Sequence, residues 1–207
     1  DDWYTRRGLH NLSDGRMVLG VSPGEYRRHG AFAEFVAVPQ HILYRVPETV
    51  SFEQAAMVEP VAVAAHAVSL TPVAVGDTAV VVGSGMIGLC LVQVLRAAGC
   101  SRVFAVDLEA EKLELARTVG ADVVLDPQKA DVAKAVAEAT EGRGADVAFE
   151  AVGITATVKT AIAAVRRGGT VTLVGNLSPA VEIPLQAVVT RQLRLQGSCA
   201  IAGEYPA

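Results

Sequence analysis

The chain has 207 residues, enough for one large domain or for one domain and part of a second. Hydrophobic residues make up 51% of it and charged residues 19%, with a net charge of −4, a balance that gives no basis for a nucleic-acid surface or an anionic membrane as partner. Charges interrupt every apolar run before bilayer-spanning length, no leader-like segment opens the chain, and Cys90, Cys100 and Cys199 form neither a disulfide framework nor a zinc cluster, so a cytoplasmic setting is expected.

Residues 1–30 are polar and turn-rich, and the short basic patch of Arg27, Arg28 and His29 reads as a solvated loop. Rough alternation predicts a strand over residues 31–39 and another over 41–46, ended by Pro47. Together they look like the edge of a small β domain that the chain does not contain in full. Ser51 with Gln54 three residues on is a capping-box start for a helix that runs through Met57 to Pro60. A second apolar helix follows over residues 61–70, with His66 as a packed core histidine, and residues 71–77 form a linker.

The next stretch, residues 77–107, carries the most information. An apolar run at 79–82 has the length of a buried strand, and Gly83-Ser84-Gly85-Met86-Ile87-Gly88 follows it at once with G-x-G-x-x-G spacing. A mostly apolar helix runs over 86–98, Gly99 ends it, and a second strand over 102–106 finishes at Asp107. Each part has a task in binding a dinucleotide. Gly83 permits the tight turn, Gly85 lets backbone approach a pyrophosphate, and Gly88 lets helix lie close on strand. The helix start, at Met86 and Ile87, offers N–H groups and a partial positive charge to phosphate. Asp107, nineteen residues after Gly88, is placed to accept hydrogen bonds from ribose hydroxyls. Its carboxylate would repel a 2′-phosphate, and Leu108 rather than an arginine follows it, so NAD is expected over NADP. Lys112 softens that expectation, because its amine could lie near the ribose or simply be a solvated helix charge.

Beyond Asp107 the pattern alternates: helix 109–119, strand 122–125, helix 129–140, strand 145–149 ending at Glu150, helix 155–165, strand 169–174, an extended piece at 181–185 with a helical turn to 190, and strand 193–197. Six strands with crossover helices predict an α/β fold, a doubly wound parallel sheet of the Rossmann type. The domain boundary falls between residues 70 and 71: 1–70 as a β-rich remnant with connecting helices, and 71–207 as the dinucleotide-binding domain.

These residues together resemble the central and nucleotide-binding part of a zinc-dependent medium-chain dehydrogenase, of the alcohol dehydrogenase superfamily and near its polyol, sorbitol dehydrogenase-like branch. The resemblance rests on Gly30-Ala31-Phe32-Ala33-Glu34-Phe35, Val46-Pro47-Glu48, Glu59-Pro60 with the helix through His66, the Gly83 to Gly88 turn, Gly120-Ala121-Asp122, Arg167-Gly168-Gly169 and Val174-Gly175. It implies an oxidoreductase in which zinc acts as Lewis acid on a secondary alcohol or polyol that gives hydride to NAD. Residues 1–70 would then be part of the catalytic domain. The other zinc ligands of that branch, a cysteine and a His-Glu pair, have no counterpart here. Glu59 matches the remaining position, and an acid between two apolar helices is a poor place for an unpaired carboxylate. Ser13 falls where the last cysteine of a structural zinc lobe would stand, so no structural zinc is expected.

By position, the resemblance also brings Val152 to the adenosine or nicotinamide. It brings Val174, Gly175 and Asn176 to the carboxamide, and Ser198, Cys199 and Ala200 to a second nicotinamide-lining segment. It implies a homo-oligomer, dimer or tetramer, through the edge near 182–185 and 193–197. The 207 residues alone are expected to bind NAD without turning over. Two rival readings are a zinc-free enone or quinone reductase, which has no evident use for Glu59, and a non-catalytic dinucleotide-binding module.

Overall fold

The computed structural model describes residues 2–21 and 27–206. The chain forms two compact units: the residues through Glu59 with those from Cys199 onward, and Pro60–Ser198. That division runs along a different line from the boundary drawn between residues 70 and 71.

The first unit is mostly turns. It holds 3-10 turns at Thr5–Arg7, His10–Leu12 and Gln40–Ile42, a parallel pair of two-residue strands β1 (Val18–Leu19) and β2 (Arg27–Arg28), and helix α1 (Phe52–Ala56). The basic patch thus contributes β2, while part of the loop before it lies outside the described residues. Asp2 ties the first turns together, accepting from the Thr5 N–H (2.8 Å), the Ser13 hydroxyl (2.8 Å) and the Asp14 N–H (3.0 Å). Those donors, the Thr5 N–H foremost, hold its carboxyl well below the usual carboxylate range.

The strands expected at 31–39 and 41–46 do not form. A strand needs a neighbour for its N–H and C=O groups, and among the described residues of this unit only β1 and β2 pair. Phe32 and Phe35 stand almost wholly in solvent, so the alternating pattern has no core to face. The capping box does form: the Gln54 N–H donates to Ser51 Oγ (3.2 Å) and the Ser51 N–H to Gln54 Oε1 (2.9 Å). The helix it starts ends at Ala56 and not at Pro60. Helix α2 (Val58–Ser69) begins earlier than expected, with Pro60 in its first turn, where a missing N–H leaves no carbonyl unpaired. His66 is buried in α2, as expected.

The second unit is built on six parallel strands: β3 (Thr78–Val82), β4 (Arg102–Val106), β5 (Val123–Leu125), β6 (Ala145–Glu150), β7 (Val165–Leu173) and β8 (Arg194–Gly197). Their spatial order is β5-β4-β3-β6-β7-β8, the doubly wound arrangement expected. Strands β3 and β6 are buried along their whole length because helices cover both faces. Helices α3 (Met86–Ala97) and α4 (Ala110–Thr118) pack with α2 on one face, where Leu91 and Leu95 meet Val81, Val103 and Phe149. Helices α5 (Val132–Ala139) and α6 (Thr155–Ala164) cover the other, against Val80, Val82, Phe104 and Val171. A last helix, α7 (Leu185–Thr190), leads into β8. Cys90 and Cys100 lie in the first of these cores, and burial pushes the Cys100 thiol up to about 11. Thr71 and Thr172, both buried, share a 2.6 Å hydrogen bond that fixes the end of α2 on the sheet.

Two elements differ in length from expectation. Helix α5 starts at Val132 because Asp131 caps it, accepting from the Lys134 N–H (3.0 Å), while the Lys129 N–H closes a turn on Asp126 O. Strand β7 starts at Val165, four residues early, because a bulge over 166–169 lets Val165 pair with Ala145 before Thr170 pairs with Val147. Asp146 holds that bulge. Its Oδ2 accepts from the Thr78 N–H (2.9 Å) and its Oδ1 from Arg143 (2.6 Å) and Arg166 (2.7 Å).

Burial pushes the Asp146 pKa up, yet Thr78, Arg166 and Arg143 together hold it below its ordinary value. The folded pKa lies below the unfolded one, so the stabilisation is present above about pH 4 and is lost as pH falls through the lower folded value. Thermal melts of wild type and Asp146→Asn between about pH 6 and about pH 3 check this: the variant melts lower at the upper pH and loses less on acidification.

Candidate functional site

Strands β3 and β6 lie side by side although β4 and β5 come between them in sequence. Their following segments leave toward opposite edges of the sheet, and a ligand crevice forms at the carboxyl ends of two such strands. The glycine-rich turn, at the end of β3, is therefore on one wall and the loop after Glu150 is on the other.

The three motif glycines are glycine for different reasons. Gly83 sits in the left-handed region (φ 97°), and a Cβ there would approach Val152 Cγ2 to 2.5 Å, so the two walls touch at this point. A Cβ on Gly88 would overlap the carbonyl oxygen of Gly83, because α3 rests directly on the turn. Gly85, with φ −72°, caps α3 in a conformation any residue can adopt, and a Cβ there would meet nothing within 4 Å. Its small size leaves room beside the helix N-terminus and relieves no clash within the protein. No side chain caps α3 and no acid lies in its first turn, so its leading N–H groups and positive dipole end suit a phosphate. Met86 is exposed beside them, and Ile87 is half-buried against the core.

Asp107 stands at the end of β4. Its Oδ2 accepts from the Ser84 N–H (2.7 Å) and its Oδ1 from the Glu109 N–H (3.0 Å). A carboxylate has about four acceptor positions, so these two bonds aim the group and leave capacity for hydroxyl donors. Lys112 is pinned nearby, with Nζ 2.7 Å from Glu109 Oε1; that bond first, and the charge of Asp107 after it, raise its pKa.

The opposite wall is a knot that sequence reasoning missed. Glu150, fully buried, accepts from the Val152 N–H (2.9 Å) and the Gly153 N–H (2.7 Å) through Oε1. Its carbonyl accepts from the N–H groups of Val174 (2.8 Å) and Gly175 (3.0 Å). A Cβ on Gly153 would overlap Asn176 backbone, and one on Gly175 would overlap Val152 and Gly153 backbone. Val152, Val174, Gly175 and Asn176 are thus brought together with Gly83. The Ser198 N–H donates to Leu173 O (2.9 Å), which sets Ser198 at the end of the next strand. Cys199 and Ala200 belong to the first compact unit, where the Cys199 carbonyl accepts from Asn11 Nδ2 (2.7 Å). A signal for Glu150 was present: a glutamate closing the apolar run 147–149, three residues before a glycine.

Glu59 is exposed in the first turn of α2, where an acid suits the helix dipole. The argument that burial there would require a metal therefore does not hold. Among the described residues no three His, Cys, Asp or Glu side chains come together as a ligand set, so these residues do not by themselves make a zinc centre.

The zinc-binding dehydrogenase family matches residues 87–207. The chain belongs to that family. It is 35% identical over 205 residues to (R,R)-butanediol dehydrogenase of Bacillus subtilis (strain 168), covering 99% of this chain and 58% of that protein. It is 32% identical over 203 residues to sorbitol dehydrogenase of the same strain, covering 97% of this chain and 56% of that one. A Sinorhizobium meliloti 1021 structure described as a zinc-binding dehydrogenase bound to NADP superposes with a TM-score of 0.86 at 32% identity, over 99% of this chain and 59% of that chain. The chain thus spans less than two thirds of the length of these relatives.

The contrast between glycines is testable. Gly85→Ala melts like wild type, because its Cβ meets no protein atom, and binds NADH about tenfold or more weakly because the methyl occupies the approach to the helix N-terminus. Gly88→Ala loses stability outright, because its Cβ meets the Gly83 carbonyl. Thermal melts and NADH fluorescence titrations of both variants check the pair.

Proposed function

We propose that this chain is the cofactor-binding portion of an NAD-dependent dehydrogenase that transfers hydride between the nicotinamide and a secondary alcohol or polyol. The observation that carries the reading is the open position of Gly85 beside an uncapped helix N-terminus, with the Asp107 carboxylate anchored to the same turn. NAD supplies the hydride acceptor. The chain binds its pyrophosphate with the backbone of Gly83, Gly85, Met86, Ile87 and Gly88. Asp107 accepts from the ribose hydroxyls with the positions that Ser84 and Glu109 leave free. Val152, Val174, Gly175 and Asn176 line the nicotinamide from the opposite wall, and the resemblance adds Ser198, Cys199 and Ala200.

NAD over NADP rests on the Asp107 charge, which a 2′-phosphate would have to face. Lys112, hydrogen-bonded to Glu109 and within the field of Asp107, offsets part of that charge. The butanediol and sorbitol dehydrogenases point to a small alcohol or polyol substrate. In a protein of their length, Glu59 is assigned to the catalytic zinc together with ligands outside this chain, and the 207 residues bind nucleotide without turnover. A homo-oligomer is supported by β8 at the sheet edge and by exposed Leu185 and Val189 in the helix that leads into it. Three free cysteines favour a cytoplasmic setting, and no helix among the described residues is long and apolar enough to cross a membrane.

NADH and NADPH titrations of wild type and Asp107→Asn test the reading. Asparagine keeps an acceptor for the Ser84 N–H and removes the charge. Wild type prefers NADH, and the variant's preference falls about tenfold, mostly by gaining NADPH. Equal affinity of wild type for the two nucleotides overturns the NAD assignment. A cooperatively melting wild-type chain that binds neither overturns the cofactor reading.

A further inference from the structure

We infer that Glu150 is the positioning residue of the nucleotide cleft: a buried acceptor that sets the β6 and β7 loops at the spacing the nicotinamide end requires. The inference rests on the cofactor reading above and concerns a residue that touches no ligand in it.

Glu150 ends β6, in register with Val82 of β3 and Leu173 of β7, so it sits at the point where three strands deliver their loops. Its face of the sheet is apolar: Val80, Val82 and Ala148 lie on it, and Leu173 packs against it. Packing alone would be served by a leucine. A carboxylate with no exposed surface is an expensive occupant of such a place. What it supplies that leucine cannot is an acceptor for two adjacent N–H groups in the turn at Val152 and Gly153. Its other oxygen, Oε2, is buried with no hydrogen-bond partner among the described residues. The side chain is therefore built around one acceptor atom and two donors.

From that turn the constraint spreads in both directions. The Val152 carbonyl accepts from the Leu177 N–H (3.2 Å) and the Gly153 carbonyl from the Ser178 N–H (2.9 Å). Gly153 and Gly175 leave no room for a Cβ between the loops. On the other side the Val152 side chain abuts Gly83 in the glycine turn. A turn released from Glu150 shifts Val152 against the pyrophosphate loop and moves Val174, Gly175 and Asn176 with it. Replacing it with an apolar side chain leaves the Val152 and Gly153 N–H groups without their acceptor, so stability falls along with the loop geometry, and glutamine, which keeps the acceptor oxygen, is the variant that isolates the positioning role.

The test compares wild type, Glu150→Gln and Glu150→Leu by thermal melting, NADH fluorescence titration, and amide exchange at Val152 and Gly153. Glutamine keeps the acceptor oxygen: it binds NADH within about threefold of wild type and keeps both amides protected. Leucine removes it: the melt falls but stays cooperative, the amides exchange freely, and NADH binds more than about tenfold more weakly with less emission enhancement. A folded leucine variant with wild-type affinity overturns the inference, as does a folded glutamine variant that loses as much as leucine. Should leucine not melt cooperatively, the amides decide: free exchange at Val152 and Gly153 in wild type overturns the inference. Protection in wild type and glutamine, with near-wild-type affinity in the latter, supports it. Failure of the wild-type chain to bind NADH at all overturns the cofactor reading instead.

Discussion

The cleft depends on one close approach, that of α3 to the turn after β3. The helix rests against the Gly83 carbonyl because Gly88 has no side chain to hold it off. That contact sets where the first N–H groups of α3 emerge, and so where an anion can sit. Everything else in the site is placed relative to it. Asp107 reaches the turn through the Ser84 N–H, which fixes its carboxylate beside the start of α3. Val152 abuts Gly83, which fixes the opposite wall.

Strand β6 shows how acids serve inside an apolar sheet. It carries one acid near each end, Asp146 and Glu150, and both are buried. Each accepts backbone N–H groups that strand pairing leaves over: Thr78 at one end, Val152 and Gly153 at the other. They differ in their company. Asp146 is met by two arginines, Arg143 and Arg166, and holds the β7 bulge at the end of the sheet away from the cleft. Glu150 has N–H donors alone. Charge compensation fits a structural clamp, whereas a bare acceptor at the ligand end fits a device that sets loop geometry.

The sheet was legible because β3 to β6 each announce themselves locally: a short run rich in apolar residues, then a helix of period 3.6, then a glycine. The glycine turn and Asp107 were legible for the same reason, since strand, turn, helix and acid follow within thirty-one residues. What failed depended on partners distant in sequence or absent. Residues 31–46 have strand-like alternation, and alternation says nothing about whether a neighbouring strand exists. Glu59 read as an acid trapped between apolar helices, but the chain breaks at Met57 and a new helix presents Glu59 to solvent. Glu150 read as the end of a strand, because the burial that makes it informative comes from three strands and a helix layer that no local window contains.

The two units differ in how far they are closed on themselves, and that difference bears on which half of the chemistry this chain holds. The six-stranded unit has helices on both faces and a core in which Val80, Val81, Leu91, Leu95, Phe104 and Phe149 are fully covered. The described residues through Glu59 contain no comparable core: Phe32, Phe35 and Phe52 are almost fully exposed. Exposed aromatic residues in such numbers mark a surface meant to be covered, and the relatives this chain matches are longer by more than a third of their length. Among the described residues Glu59 joins no group of three His, Cys, Asp or Glu side chains. The loops at the carboxyl ends of β3, β4 and β6 all belong to the closed, six-stranded unit. That closed unit holds α3, Asp107 and the Glu150 turn, all placed around a single glycine.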